Sequence, residues 1–103
     1  MASTVYDVVS IELLDGTVIE CRPLKIKLLR EFMKTFAKMD GEGVRDDNDK
    51  AIKVLLDCAA VAFKQYAPNY STTDLEDVLD MQTLNRVLEI ASGMKFGGEE
   101  GNA

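Results

Sequence analysis

The segment Ile11-Glu-Leu-Leu-Asp-Gly-Thr-Val-Ile-Glu-Cys-Arg-Pro-Leu24 constrains the fold more than any other stretch of the chain. Two short runs with alternating apolar residues flank an Asp15-Gly16 turn, and the second ends at a proline. A two-residue loop would set Ile11 opposite Glu20 and Glu12 opposite Ile19, mixing apolar and charged groups on both faces. A three-residue loop, with Gly16 in the left-handed position of a G1 bulge, pairs Leu13 with Thr17, Ile11 with Ile19 and Val9 with Cys21. That register gathers Val9, Ile11, Leu13, Ile19 and Cys21 on one face, so it is the register expected. A lone hairpin is marginal in water, and helices further along the chain must cover this face. Arg22-Pro23 ends the second strand, because proline has no N–H for the ladder and restricts the residue before it.

After Pro23 the pattern changes to helical spacing. Leu28, Leu29, Phe32, Met33, Phe36 and Met39 recur at three- and four-residue steps, which predicts helix 1 over residues 25–39. Lys25 at its start cannot accept from the free N–H groups of a first turn, so this helix lacks a good cap. Its other side carries Lys27, Arg30, Lys34 and Lys38, read either as a solvated face or as a docking strip for an acidic surface. A polar loop over residues 40–49 leads to helix 2, capped by Asp47, Asn48 or Asp49 and running from Asp49 to Tyr66. Its main stripe is Ile52, Leu55, Leu56, Ala59, Ala62, Phe63 and Tyr66, widened by Val54, Cys58 and Val61, with Lys50, Lys53, Asp57, Lys64 and Gln65 wet. So apolar a helix belongs at the centre. Pro68 stops it; a capping box from Thr73 to Glu76 opens a short helix 3 to Leu79. Asp80 caps helix 4, which runs from Met81 to Ser92 with Leu84, Val87, Leu88 and Ala91 inward and Gly93 beyond its end.

The whole is a mainly α (α+β) chain: an N-terminal β-hairpin packed on a small bundle of about four helices. At 103 residues it makes one domain, placed at 1–96, with a polar, glycine-rich tail over 97–103 that is too permissive to order itself. No stretch reaches the ~18 apolar residues of a membrane span, and Met1–Asp7 lacks the basic start and apolar run of a signal peptide. A cytoplasmic location is therefore expected.

Charge and composition exclude several classes of function. The net charge is −6, split as +1 over residues 1–39 and −7 over residues 40–103. An acidic chain is a poor general ligand for nucleic acid, whose phosphates demand a dominant basic surface. Cys21 and Cys58 are too few for a disulfide framework or a zinc site and read as small buried hydrophobes. The acidic loop at 40–49 does not match a calcium loop, lacking the alternating Asp/Asn run and the spaced Glu. The chain has no histidine, which removes the commonest general base and metal ligand. Nucleophile-elbow, phosphate-loop and dinucleotide motifs are also missing. The pairs Glu76/Asp77 and Asp77/Asp80 stand next to helix starts, where capping and dipole compensation explain them. No enzyme activity, cofactor or metal is expected.

Taken together, Ile11–Leu24 leading into Leu28-Leu-Arg-Glu-Phe-Met33, the segment Ala51–Ala60, and Leu75–Leu84 with Ile90-Ala-Ser-Gly93 resemble the tail assembly chaperones of long-tailed bacteriophages. The resemblance spans residues 8–96 and rests on the order of these segments at this length. It implies a protein made in the infected host cytoplasm that coats the tape measure protein, keeps it soluble and recruits tail tube subunits. Such a protein is absent from the mature virion. The resemblance also implies self-association, head-to-tail or spiral, and a partnership with a longer form of the same chain produced by programmed frameshifting near its end. By the same resemblance this chain is expected to be the short form.

A holdase of this kind needs adaptable greasy surface, for which Phe32, Met33, Phe36, Met39, Met81 and Met94 are candidates beside Lys27, Arg30, Lys34 and Lys38. Core filling is the plainer reading for any one of these apolar residues. Competing functions are a structural virion component, such as a head–tail connector, and a small regulatory adaptor.

Overall fold

The computed structural model describes residues 8–93; the expectations for Met1–Asp7, Met94 and the 97–103 tail lie outside the described residues. Two antiparallel strands, β1 (Val9–Glu12) and β2 (Val18–Cys21), precede helices α1 (Ile26–Phe36), α2 (Asn48–Tyr66), α3 (Thr72–Val78) and α4 (Met81–Ser92). This is the expected hairpin on a helical bundle.

The hairpin has the three-residue loop. Val9 pairs with Cys21 and Ile11 with Ile19, while the Leu13 N–H donates to the Thr17 carbonyl at 2.7 Å. Gly16 sits at φ +89°, a conformation in which a Cβ is strained. Asp15 Oδ1 accepts from the Thr17 N–H at 3.0 Å, and the Tyr70 hydroxyl donates to Asp15 Oδ2 at 2.9 Å. These bonds, the backbone one foremost, hold the Asp15 carboxyl below its ordinary value. Ile11, Leu13, Ile19 and Cys21 are buried against α4 and α2, with Val9 half-buried beside them.

Two backbone bonds fasten the hairpin to the helices. The Leu14 N–H donates to the Val78 carbonyl at 2.8 Å, and the Leu24 N–H donates to the Ala91 carbonyl at 3.0 Å. Both acceptors lie in last turns, where helix carbonyls have no partner within their own helix.

Helix α1 is shorter than its pattern suggests. The α-helix ends at Phe36 and tightens into a 3-10 turn, Ala37–Asp40, as helix ends often do. Lys25 provides no side-chain cap. Its backbone N–H instead donates to Gln65 Oε1 at 3.1 Å, while Gln65 Nε2 donates to the Pro23 carbonyl at 3.3 Å. The Tyr66 hydroxyl donates to the Arg22 carbonyl, so the end of α2 pins the whole crossing from β2 to α1. Gln65, expected to be wet, is half-buried for this reason; Asp57, also expected to be wet, is half-buried too.

Helix α2 is central, touching α1, α3, α4 and β2. Asp47 caps it, accepting from the N–H groups of Asp49 at 3.0 Å and Lys50 at 3.2 Å. The buried face is Val54, Leu56, Cys58, Ala59, Val61, Ala62 and Phe63. The residues expected only to widen the stripe are therefore buried as well, beside Ala59, Ala62 and Phe63 of the main stripe. Ile52, expected in the main stripe, is exposed, standing at the rim where α2 meets α3 and α4.

The capping box of α3 lies two residues earlier than the Thr73–Glu76 box expected. Ser71 Oγ accepts from the Asp74 N–H at 3.1 Å and Asp74 Oδ2 accepts from the Ser71 N–H at 3.0 Å. This placement puts Tyr70 at N′ and Leu75 at N4, the positions of a hydrophobic staple, with Leu75 fully buried and Tyr70 packed on the core. Asp80 caps α4 by accepting from the Thr83 N–H at 2.8 Å, and Gly93 closes it at φ +74°. Ser71→Ala is expected to lower unfolding stability by about 1 kcal/mol. Thr73→Ala should leave it within about 0.5 kcal/mol, both read from urea denaturation midpoints.

Candidate functional site

The surface of α1 is built by its period. Leu28 and Phe32 point inward and are buried, while Leu29 and Phe36 are half-buried against the core. On the opposite side Lys27, Arg30, Lys34 and Lys38 are all exposed. Between these cations stand Ile26, 69% exposed, and Met33, 54% exposed, seven residues apart and so on one face. Glu31 is committed elsewhere, accepting from Lys64 Nζ at 2.7 Å and tying α1 to α2. No carboxylate of a described residue forms an ion pair with the four cations of the strip.

The candidate partner residues thus divide. Lys27, Arg30, Met33 and Lys34 lie together on one exposed side of α1, and Lys38 is exposed on the 3-10 turn that follows. Phe32 is a correction: it is fully buried, stacked with Phe36 at 6.5 Å between ring centres and with its carbonyl 4.0 Å from Cys58 Sγ, so it fills the core. Phe36 and Met39 are half-buried and packed on that core, which leaves them little surface to offer. Met81 is exposed, but on α4 rather than with the α1 strip. Met94 lies outside the described residues.

Met81 belongs to a second surface. Ile52 and Met81 flank a cleft of about 260 Å³ floored by Leu56, Leu79 and Leu84, where α2, α3 and α4 meet. Glu76 and Asp80 line it, and a second hollow with Asp49 and Lys53 continues it along α2. Its cap bond to the Thr83 N–H holds the Asp80 carboxyl below its ordinary value, so it is charged at neutral pH. The cleft is smaller than the ~300–1,000 Å³ typical of small-molecule sites and fits one or two apolar side chains of a partner. A third exposed apolar set, Val8, Leu14 and Val18, lies on the outer side of the hairpin and its loop.

A polar hollow of about 350 Å³ lies between Glu20, Arg22, Pro23, Lys25, Gln65 and Tyr66. Two of its polar side chains, Gln65 and Tyr66, already bond the backbone of the β2–α1 crossing. Burial pushes the Tyr66 phenol above its ordinary value. Among the described residues no cluster of acidic or cysteine side chains is arranged to hold a metal ion. No described helix is long and apolar enough to cross a membrane.

Sequence reasoning missed Ile26, Ile52, Leu14 and Val18 as exposed apolar residues. Ile26 carried a usable signal, since it falls outside the stripe running through Leu28, Phe32 and Phe36. Val18 carried one too, since the expected register turns it away from Ile19 and Cys21; Ile52 carried none, because it fits the inward-facing pattern of α2.

No protein family, curated protein or solved structure matches this chain.

Both thiols are buried, and burial pushes each up to about 12. That keeps both as thiols near neutral pH, and the thiolate is the reactive form. Iodoacetamide should therefore leave Cys21 and Cys58 unmodified in the native protein and label both in denaturant, as read by mass spectrometry.

Proposed function

We propose that this protein is a non-catalytic tail assembly chaperone of a long-tailed bacteriophage, holding the tape measure protein soluble and recruiting tail tube subunits. The observation that carries the reading is the placement of its exposed apolar side chains. Ile26 and Met33 stand on α1 among exposed cations, and Ile52 and Met81 stand at a carboxylate-rimmed cleft. Large apolar side chains held at charged rims suit contacts with other proteins better than chemistry on a small molecule. The ordered segments described above supply the identity of the client.

A tape measure protein presents long amphipathic helical surface that aggregates when uncovered. Each copy of a small holdase shields a short stretch of it, and weak contacts suffice when many copies line one client. Methionine at the contact points accommodates irregular partners. On this reading the protein acts in the host cytoplasm and leaves before the particle is finished. A frameshifted longer form would carry additional sequence beyond the end of this one.

Co-expression tests this directly. The tape measure protein encoded beside this chain is expected to move from the pellet to the soluble fraction when the chain is present, and to co-purify with it. An insoluble client in both cases contradicts the reading. So does stoichiometric retention of the chain in purified virions, which would identify a structural component instead.

A further inference from the structure

Helix α1 carries an open seam at heptad spacing. Ile26, Leu29, Met33 and Phe36 recur at steps of three, four and three, which sets them along one line of the helix. Leu29 and Phe36 are half-buried and back the seam on its core side, whereas Ile26 and Met33 stand 69% and 54% exposed. Turning by about 100° per residue, Arg30, Lys34 and Lys27 follow one another round the exposed side of α1, next to Ile26. With Glu31 and Met33 they enclose a shallow hollow of about 570 Å³. No ion pair of the described residues uses these three cations, and Glu31 is turned to Lys64. Helix α1 also starts without a side-chain cap or an acidic residue in its first turn, so its positive end adds to the same field.

Each feature narrows what can lie there. An apolar line of about three turns, ~16 Å long, matches another helix laid along it with its own apolar residues at i, i+3 and i+7. A row of cations beside the line asks for carboxylates on the flank of that helix. Nucleic acid would pair with the cations and leave Ile26 and Met33 wet, and a chain of net charge −6 repels it. An anionic membrane meets the same repulsion, and two apolar side chains insert little area into it. A second copy does not supply the occupant either: the acidic helix of this chain, α3, has Leu75 and Val78 buried in its own core.

We infer that α1 is the docking surface for an acidic amphipathic helix of another protein, whose apolar residues cover Ile26 and Met33 while its carboxylates face Lys27, Arg30 and Lys34. Burying the seam supplies affinity, and the charges select and orient the partner, since exposed ion pairs contribute little by themselves. The inference deepens the chaperone reading and rests on it only for the source of that helix, an acidic heptad segment of the client. Acidic heptads, not the client as a whole, are what α1 selects.

The test is fluorescence anisotropy with the full chain and a labelled synthetic peptide of about three heptads, with Leu at a and d and Glu at e and g; its glutamates keep it from pairing with itself. The unaltered chain should bind it at low salt, and more weakly at high salt, where screening reduces the charge contacts. Lys27→Glu/Arg30→Glu/Lys34→Glu and Ile26→Ser/Met33→Ser should each weaken binding by about tenfold or more, because each removes one of the two ingredients. Ile52→Ser/Met81→Ser, at the other exposed apolar pair, should leave binding within about twofold. All the altered side chains are exposed, and circular dichroism with thermal melts establishes that the variants fold. The inference is overturned if the unaltered chain ignores the peptide, if either α1 variant binds it as well as the parent, or if a scrambled peptide of the same composition binds equally. Tighter binding of the same face to an oligonucleotide or to phosphatidylserine vesicles also overturns it. Client solubilisation is scored separately. If the unaltered chain and both α1 variants solubilise the tape measure protein equally, the inference fails and the chaperone reading stands. If peptide binding follows the α1 variants but the client stays insoluble, the chaperone reading fails and the docking surface stands.

Discussion

The rest of the molecule depends on covering one face of a two-stranded hairpin. Ile11, Leu13, Ile19 and Cys21 cannot be left wet, and two strands of four residues have no stability of their own to hold them together. Helices α2 and α4 close over that face, and the Leu14 and Leu24 amides dock onto the ends of α3 and α4. These bonds satisfy carbonyls that helices leave open and give the strand-flanking amides partners. Gln65 and Tyr66 perform the same task on the crossing between β2 and α1. The fold is therefore closed by main-chain groups at the joints as much as by the apolar core.

Much of this was legible in the residues. The hairpin register followed from asking which pairing puts all the apolar residues on one side, a question with one answer because the side-chain period is two. Asp80 and Gly93 marked the ends of α4 because their chemistry suits those positions alone. The α3 cap was displaced for a reason local rules miss. Two hydroxyl–carboxyl pairs were on offer, and the burial of Leu75 and the packing of Tyr70 selected the earlier one.

The site was less legible than the fold. An amphipathic pattern shows which side of a helix is apolar but not where its cover stops. Phe32 looked available and is fully buried, since α2 lies over it; Ile52 looked buried and is exposed, since it stands at the rim of the α2–α3–α4 cleft. Gln65 acts on residues some forty positions away, a relation no local pattern encodes. The charge asymmetry between the two halves was visible at once, yet only the structure shows that cations and carboxylates each surround an exposed apolar pair.

In the proposed reading these surfaces work by number. A single strip or cleft gives a weak, screened contact, and exposed ion pairs contribute little alone. Repetition along a client turns weak contacts into secure cover. The most direct measurement of that idea is the stoichiometry of client-bound complexes by native mass spectrometry, using tape measure fragments of increasing length. The account predicts many copies per client, rising in proportion to fragment length. A fixed one-to-one complex at every length would contradict it.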